Sequence, residues 1–237
     1  MKSLTIDTQK ASQRFIATVV LLFAALACAL TAGHAQQLQK GVSVQMAATR
    51  SAAPMPEADN EDAWVVAVTA NGSLYFGAEP MTADELTDWM KTHPRNREAK
   101  LYIKADARAP FASVETVLEI GRAAYFVAPV LLTSQAEPAA PGTVVPPKGE
   151  EVLAVAPAKT EIVVQISASQ SSTSFEVNDS PTSSAALQGT LQGLLQSQAE
   201  KVVLVKAAGV VPFGRVINVV DTCRSLGAKA ALATPEL

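Results

Sequence analysis

The same series of short segments occurs twice in this chain of 237 residues. The segment from Pro110 to Val114 (PFASV) matches the segment from Pro212 to Val216 (PFGRV), and each follows an apolar stretch that ends in a lysine, Lys104 and Lys206 respectively. Matched segments at a fixed spacing are typical of an internal duplication. We therefore predict an α+β fold of two small two-layer domains in tandem.

The first unit is predicted to follow the order β-hairpin, helix, strand, helix, strand. Trp64 to Thr69 has the composition of a strand, and Asn71-Gly72 is a preferred hairpin turn. The sequence from Thr82 to Glu85 is a capping box, which begins a helix. A strand at 101–105, a helix from about 112 and a strand at 130–133 complete the unit.

The second unit is predicted to repeat this order. Its elements are a strand at 161–166, a hairpin partner at 173–177, a helix from about Ser180 to Gln198, a strand at 202–206, a helix after Pro212 and a strand at 228–234. The predicted regions are an N-terminal anchor or signal peptide at 1–35, a flexible stem with little order at 36–62, a first domain at 63–134, a Pro/Ala-rich linker at 135–160 and a second domain at 161–237.

An uncharged apolar run from Phe15 to Ala32 determines the expected location of everything that follows it. Lys2, Lys10 and Arg14 precede the run, so the positive flank is expected to hold the N-terminus in the cytoplasm and the rest of the chain outside it. Two alternatives remain open: a retained single-pass membrane helix, or a signal peptide cleaved after Ala35.

The composition argues against several classes of protein. The net charge of −3 disfavours nucleic acid as a partner. Two cysteines and two histidines, far apart in the chain, provide neither a disulfide framework nor a metal cluster. Phosphate-binding loops and nucleophile motifs are missing from the sequence, so we expect no cofactor and no enzyme activity.

Three segments taken together resemble the ExbD/TolR family. They are Ala70 to Phe76, Leu101 to Asp106, and Pro110-Phe111 with the Val-rich helix that follows. The resemblance covers 64–134 well and 161–237 more weakly. It implies a component of a proton-driven biopolymer transport system in the bacterial inner membrane, with periplasmic domains that tend to dimerise. The implied partners are an ExbB/TolQ-like membrane subunit and a TonB-like protein or peptidoglycan.

The sequence departs from the family pattern in two ways. The family's membrane helix carries a proton-relaying aspartate, whereas the run at 15–32 contains no ionisable residue. The family has one periplasmic domain per chain, and here there are two, which could pair within the chain as two relatives pair in a dimer. A periplasmic scaffold without proton coupling, or a peptidoglycan- or protein-binding module, is therefore the alternative function.

Five residues are candidates for partner contact: Asp106, Lys104, Phe111, Lys206 and Phe213. Asp106 lies between a strand and a helix, where an acid also serves as a local cap, and the second unit has Ala208 at its position. The two lysines could equally be solvated strand ends, and the two phenylalanines could pack the loops onto the core. Exposed edge strands offer a further route to dimerisation or to pairing with an extended partner segment.

Overall fold

The computed structural model describes residues 41–94, 96, 98–126, 128–135, 146–153, 162–169 and 172–233. The hydrophobic N-terminal helix predicted at 15–32 lies outside these residues. Within them, the α+β class is confirmed by four α-helices and two β-sheets.

The first sheet has eight strands and is packed against two helices. The strands are β1 (Ala48–Thr49), β2 (Ala53–Pro54), β3 (Trp64–Val68), β4 (Leu74–Phe76), β5 (Glu79–Met81), β6 (Leu101–Ala105), β7 (Val130–Gln135) and β8 (Lys148–Glu151). Their order is β2-β8-β7-β6-β3-β4-β5, with β1 pairing β7 from outside this path. The helices are α1 (Ala83–Thr92) and α2 (Phe111–Ala123).

The second sheet has five strands in the order β11-β10-β9-β12-β13. These strands are β9 (Ile162–Ser169), β10 (Ser172–Val177), β11 (Ser180–Thr182), β12 (Val202–Ala207) and β13 (Lys229–Leu232). The helices of this half are α3 (Leu187–Leu195) and α4 (Phe213–Ser225).

The two halves share one strand arrangement. In each half, the first strand of an antiparallel hairpin also pairs in parallel with the strand that precedes the last helix. That strand pairs in parallel with the strand that follows the same helix. The registers also agree, because Trp64 lies opposite Leu101 and Ile162 lies opposite Val203. The order of elements predicted from the duplication therefore recurs in both halves.

The structure adds one strand to each hairpin that the sequence does not predict. These strands, β5 and β11, each have a proline at the centre, Pro80 and Pro181. The predicted helix from Ser180 to Gln198 is consequently wrong over its first seven residues, because 180–182 pair with β10 and the helix begins at Leu187. The capping box of α1 is confirmed, since Glu85 N donates to Thr82 Oγ1 at 3.2 Å and Thr82 N donates to Glu85 Oε2 at 2.8 Å.

Three short elements lie between 48 and 59, in the segment 36–62 expected to be a flexible stem with little order. The segment 45–59, here called the strap, contains β1, β2 and a 3₁₀ turn at Pro56–Asp59. Met55 and Ala58 in the strap pack against Tyr102, Val130 and Leu132 in a cluster separate from the main core. The strap is ordered because the sheet offers it an apolar surface, a tertiary effect that local sequence does not reveal.

Part of the predicted linker at 135–160 is also ordered. Residues 148–151 form β8, which pairs antiparallel with β7 so that Leu131 lies opposite Glu150 and Val130 lies opposite Glu151. The main hydrophobic core contains buried residues of both halves, including Phe111 and Phe213. The two halves thus belong to one compact unit.

Candidate partner-binding site

The two halves meet where the loops before α2 and α4 face each other, a region here called the junction (107–112 and 209–214). Pro110 and Pro212 form an antiparallel bridge. Four backbone hydrogen bonds surround it in matched pairs: Phe111 N to Val211 O (2.9 Å), Phe213 N to Ala109 O (2.8 Å), Ala112 N to Gly209 O (3.0 Å) and Gly214 N to Ala107 O (2.8 Å). The first turn of a helix has N–H groups without partners inside the helix. At the junction, each half satisfies two such groups of the other.

The duplication makes this pairing possible because the same local geometry occurs twice. Pro110 has φ of −59° and ψ of 135°, and Pro212 has φ of −59° and ψ of 131°. The loops approach so closely that a Cβ added at Gly209 would lie 3.0 Å from the Cβ of Ala112. The chain thus forms a contact with local twofold character between its own halves.

Phe111 and Phe213 begin the two helices at this contact, and both are fully buried. Neither ring reaches the surface, so a partner could touch them only after the halves separate. The packing of these side chains onto the core is the other interpretation that the sequence left open.

Asp106 is buried beside the junction and binds the strap. Its carboxylate accepts hydrogen bonds from Gln45 N (3.0 Å), Arg108 N (3.0 Å), Arg108 Nε (2.9 Å) and Arg108 Nη2 (2.9 Å). The Arg108 hydrogen bonds, opposed by burial, hold the pKa of Asp106 well below its usual range. In the second half Ala208 and Val210 occupy the corresponding positions, and Val210 is 73% exposed. The acid and its arginine are therefore replaced together in the half that has no strap among the described residues.

Lys104 and Lys206 occupy matched positions in very different surroundings. Lys104 is only 4% exposed, and burial lowers its pKa although Asp59 of the strap opposes the shift. Lys206 is exposed. Of the five candidates, Asp106, Phe111 and Phe213 lie at or beside the junction, Lys104 lies beneath the strap, and Lys206 lies on the surface of the second sheet.

The edges of the two sheets differ in the backbone groups they offer. Pro80 and Pro181 stand at the centres of β5 and β11, and a proline lacks the N–H that an added strand would need. The outer edge of β13 is contacted by Leu153, whose N–H donates to Ala230 O at 2.9 Å. Among the described edges of the second sheet, β11 is thus interrupted by Pro181 and β13 is partly occupied by Leu153.

A buried carboxylate that the sequence did not indicate lies between the halves. Glu150 of β8 is 1% exposed, and its Oε2 lies 3.2 Å from Nη1 of Arg224 on α4. Burial, with a further contribution from Asp221, outweighs Arg224 and raises the pKa of Glu150 to about 7. Cys223 lies fully buried on the same helix, and burial raises the pKa of its thiol to about 12. Nothing in the local sequence of a Pro/Ala-rich linker predicts that a glutamate there becomes enclosed.

The described residues show neither a membrane-crossing helix nor a metal cluster. Their helices are too short or too polar to span a bilayer. They also contain no group of three or more His, Cys, Asp and Glu side chains placed to hold a metal ion.

The comparison with known families agrees with the duplicated α+β topology. The family model described as biopolymer transport protein ExbD/TolR matches residues 15–136 and again residues 125–236. The chain therefore belongs to the ExbD/TolR family. No curated protein and no solved structure matches it.

Proposed function

We propose that this chain is a component or accessory of a proton-driven biopolymer transport system of the TonB/Tol type. Membership of the ExbD/TolR family supports a role in biopolymer transport. In the proposed arrangement the run at 15–32 is a single-pass anchor in the bacterial inner membrane. The N-terminus lies in the cytoplasm, and the domains at 63–134 and 161–237 lie in the periplasm.

The observation that carries this proposal is the double family match combined with the pairing at the junction. Two copies of the domain form reciprocal hydrogen bonds and share one core. Single-domain relatives would need two chains to bring two such domains together. One chain of this protein would therefore supply both members of the pair beside a membrane subunit of the ExbB/TolQ kind.

Partner contact is proposed to use the surface of the second half. Lys206 is exposed there, and the part of the β13 edge that Leu153 does not occupy would pair with an extended segment of a TonB-like protein. The first half is less open, because the strap covers Lys104 and Asp106 already binds Gln45 and Arg108. Dimerisation of two chains through the same edge is the competing use of that surface.

One observation favours the alternative, a periplasmic scaffold or a peptidoglycan- or protein-binding module without proton coupling. The run at 15–32 contains no Asp, Glu, His, Lys or Arg, and a proton relay across a membrane needs an ionisable group. In this alternative the domains bind their partners while another chain carries the proton.

Co-purification from membranes separates the two functions. The full chain is expected to retain an ExbB/TolQ-like subunit, whereas a version with residues 1–35 replaced by a cleavable signal peptide is expected to lose it. Recovery of the subunit with both forms, or with neither form, would contradict a role for the N-terminal run in the transport complex. The mature N-terminal residue gives an independent result: Met1 means a retained anchor, and Gln36 means release.

A further inference from the structure

The contact between β8 and α4 contains a carboxyl group in an unusual position. Glu150 lies opposite Leu131, a buried core residue, so its side chain is on the face of the first sheet that packs toward the second half. Its Oε1 has no hydrogen-bond partner among the described residues, and its Oε2 has only the Arg224 guanidinium, at 3.2 Å. An ionised carboxylate in such a place loses most of its hydration without full replacement.

A cleft of about 480 Å³ lies directly against this carboxyl group. Residues of both halves line it: Glu150 and Leu153 come from the first half and its extension, and Val220, Arg224 and Ala230 come from the second. The Leu153 N–H bond to Ala230 O also lies on this cleft. The wall that holds Glu150 is therefore part of the contact between the halves.

The charged and titratable groups around Glu150 do not neutralise it. From α4 it faces Arg224, Asp221 and the buried thiol of Cys223. Asp221 is held in place by the strap, because Ser51 N donates to its Oδ1 at 2.7 Å. On β8 the neighbouring Glu151 pairs with Lys100 at 3.6 Å, and from β13 Lys229 lines the same cleft. One partly exposed arginine is thus opposed by burial and by a second carboxylate.

We infer that Glu150 is a proton-controlled contact between the two halves, closed when its carboxyl is neutral and loosened when it is ionised. The neutral acid loses less hydration free energy in the enclosed position than the ionised acid does. The ionised acid requires water, which reaches it only if the cleft opens along α4 and β13. This contact does not depend on the proposed transport role, although its cleft adjoins the β13 edge proposed for partner binding.

The sign of the pH dependence follows from the direction of the pKa shift. The pKa of Glu150 in the folded protein is about 7, above the ordinary glutamate value, so the folded state binds the proton more tightly than the unfolded state. The contribution of Glu150 to stability is then greatest below the ordinary glutamate pKa and falls as the pH rises from there to the folded pKa. Between pH 6 and pH 8 this one group lowers the folding equilibrium constant about tenfold.

The test is hydrogen exchange of the Leu153 amide from pH 5 to pH 9, corrected for the intrinsic rate, in the full chain and in Glu150→Gln. The wild-type amide is expected to lose about tenfold in protection between pH 6 and pH 8. The Glu150→Gln protein is expected to keep its protection. Glu151→Gln is the matched control, because it removes the adjacent, more exposed carboxylate and should leave the wild-type pH dependence intact.

Two further measurements keep the inference open to refutation if Glu150→Gln does not fold. The carboxyl carbon of Glu150 in the wild-type protein should titrate near pH 7, and a midpoint at the ordinary glutamate value overturns the inference. Arg224→Gln removes the cation that pairs with Glu150 and should move that midpoint to higher pH. The inference is also overturned if Leu153 protection changes equally with pH in Glu150→Gln and in the wild type.

Discussion

At the scale of single residues, Asp106 connects the strap to the junction. Its buried carboxylate accepts hydrogen bonds from the backbone of Gln45 and from the backbone and guanidinium of the largely exposed Arg108. Hydrogen bonds to a charged group stabilise the folded state more than neutral ones do. A donor that loses its acceptor when the carboxylate is removed destabilises the fold further. Asp106 is therefore a structural anchor in addition to a candidate for partner contact.

Asp106→Ala is expected to lower the free energy of unfolding by about 2 kcal/mol, because it leaves the Gln45 N–H without its acceptor. Urea unfolding at pH 7 measures the loss. In the wild type the contribution of Asp106 is present above the ordinary aspartate pKa and is lost as the pH falls below it, because the folded-state pKa is depressed. An Asp106→Ala protein with wild-type stability at pH 7 would contradict this role.

Lys104 and Lys206 form a matched pair for a second prediction. Lys104→Met replaces a buried ammonium group with an apolar side chain of similar length beneath the strap, so we expect unchanged or higher stability, by up to about 1 kcal/mol. Lys206→Met changes an exposed position and should leave stability within about 0.5 kcal/mol of the wild type. Thermal unfolding of both variants measures the difference. A large loss in Lys104→Met would mean that its charge is required beside Asp59.

At the scale of elements, the strap gives the first sheet a covered outer face. Met55 is 7% exposed and packs with Tyr102 and Val130, while β1 and β2 pair with β7 and β8. The second half carries smaller residues at the matched places, with Leu204 opposite Ala231 where the first half has Tyr102 opposite Val130. The larger apolar side chains of the first sheet are the ones that the strap contacts.

Met55→Ala is expected to destabilise the protein by about 2 kcal/mol, the lower end for a buried methionine, because the 3₁₀ turn beside it can partly collapse into the space. A stem that did not touch the sheet would tolerate the change without loss. Chemical unfolding measures the loss of stability. The control is Met46→Ala, because Met46 is a partly buried neighbour in the same cluster.

The elements that local sequence predicts are those with their own periodicity or caps. The helix α1 has its capping box, and β3, β6, β9 and β12 are apolar runs, so each is recognisable alone. The strap, β5, β8 and β11 are short, contain proline or charged residues, and exist because a neighbouring strand or sheet face accepts them. Glu150 escaped prediction for the same reason, since its burial arises only when α4 of the other half covers it.

At the scale of the whole molecule, the duplication produces a pair of domains from one chain. The Pro-Phe motifs that indicate the repeat in the sequence are the same residues that join its two copies in space. The sequence predicts that two similar units exist. How closely they lie together depends on the reciprocal contacts of 107–112 with 209–214, which appear only in the folded chain. The shared core and the junction together make the ExbD/TolR domain pair a property of the single chain.

The most direct test of the joined pair is a disulfide across the junction. Ala112→Cys and Gly209→Cys, in a Cys28→Ala, Cys223→Ala background, place two Cβ atoms about 3 Å apart, so a small outward shift brings them to the spacing that a disulfide requires. Ala112→Cys with Gly193→Cys is the control, because a Cβ at Gly193 has no neighbour within 4 Å. The account predicts rapid intrachain oxidation of the junction pair at low protein concentration, with the control pair remaining reduced. Oxidation of the junction pair only between chains, or at the same rate as the control, would contradict it.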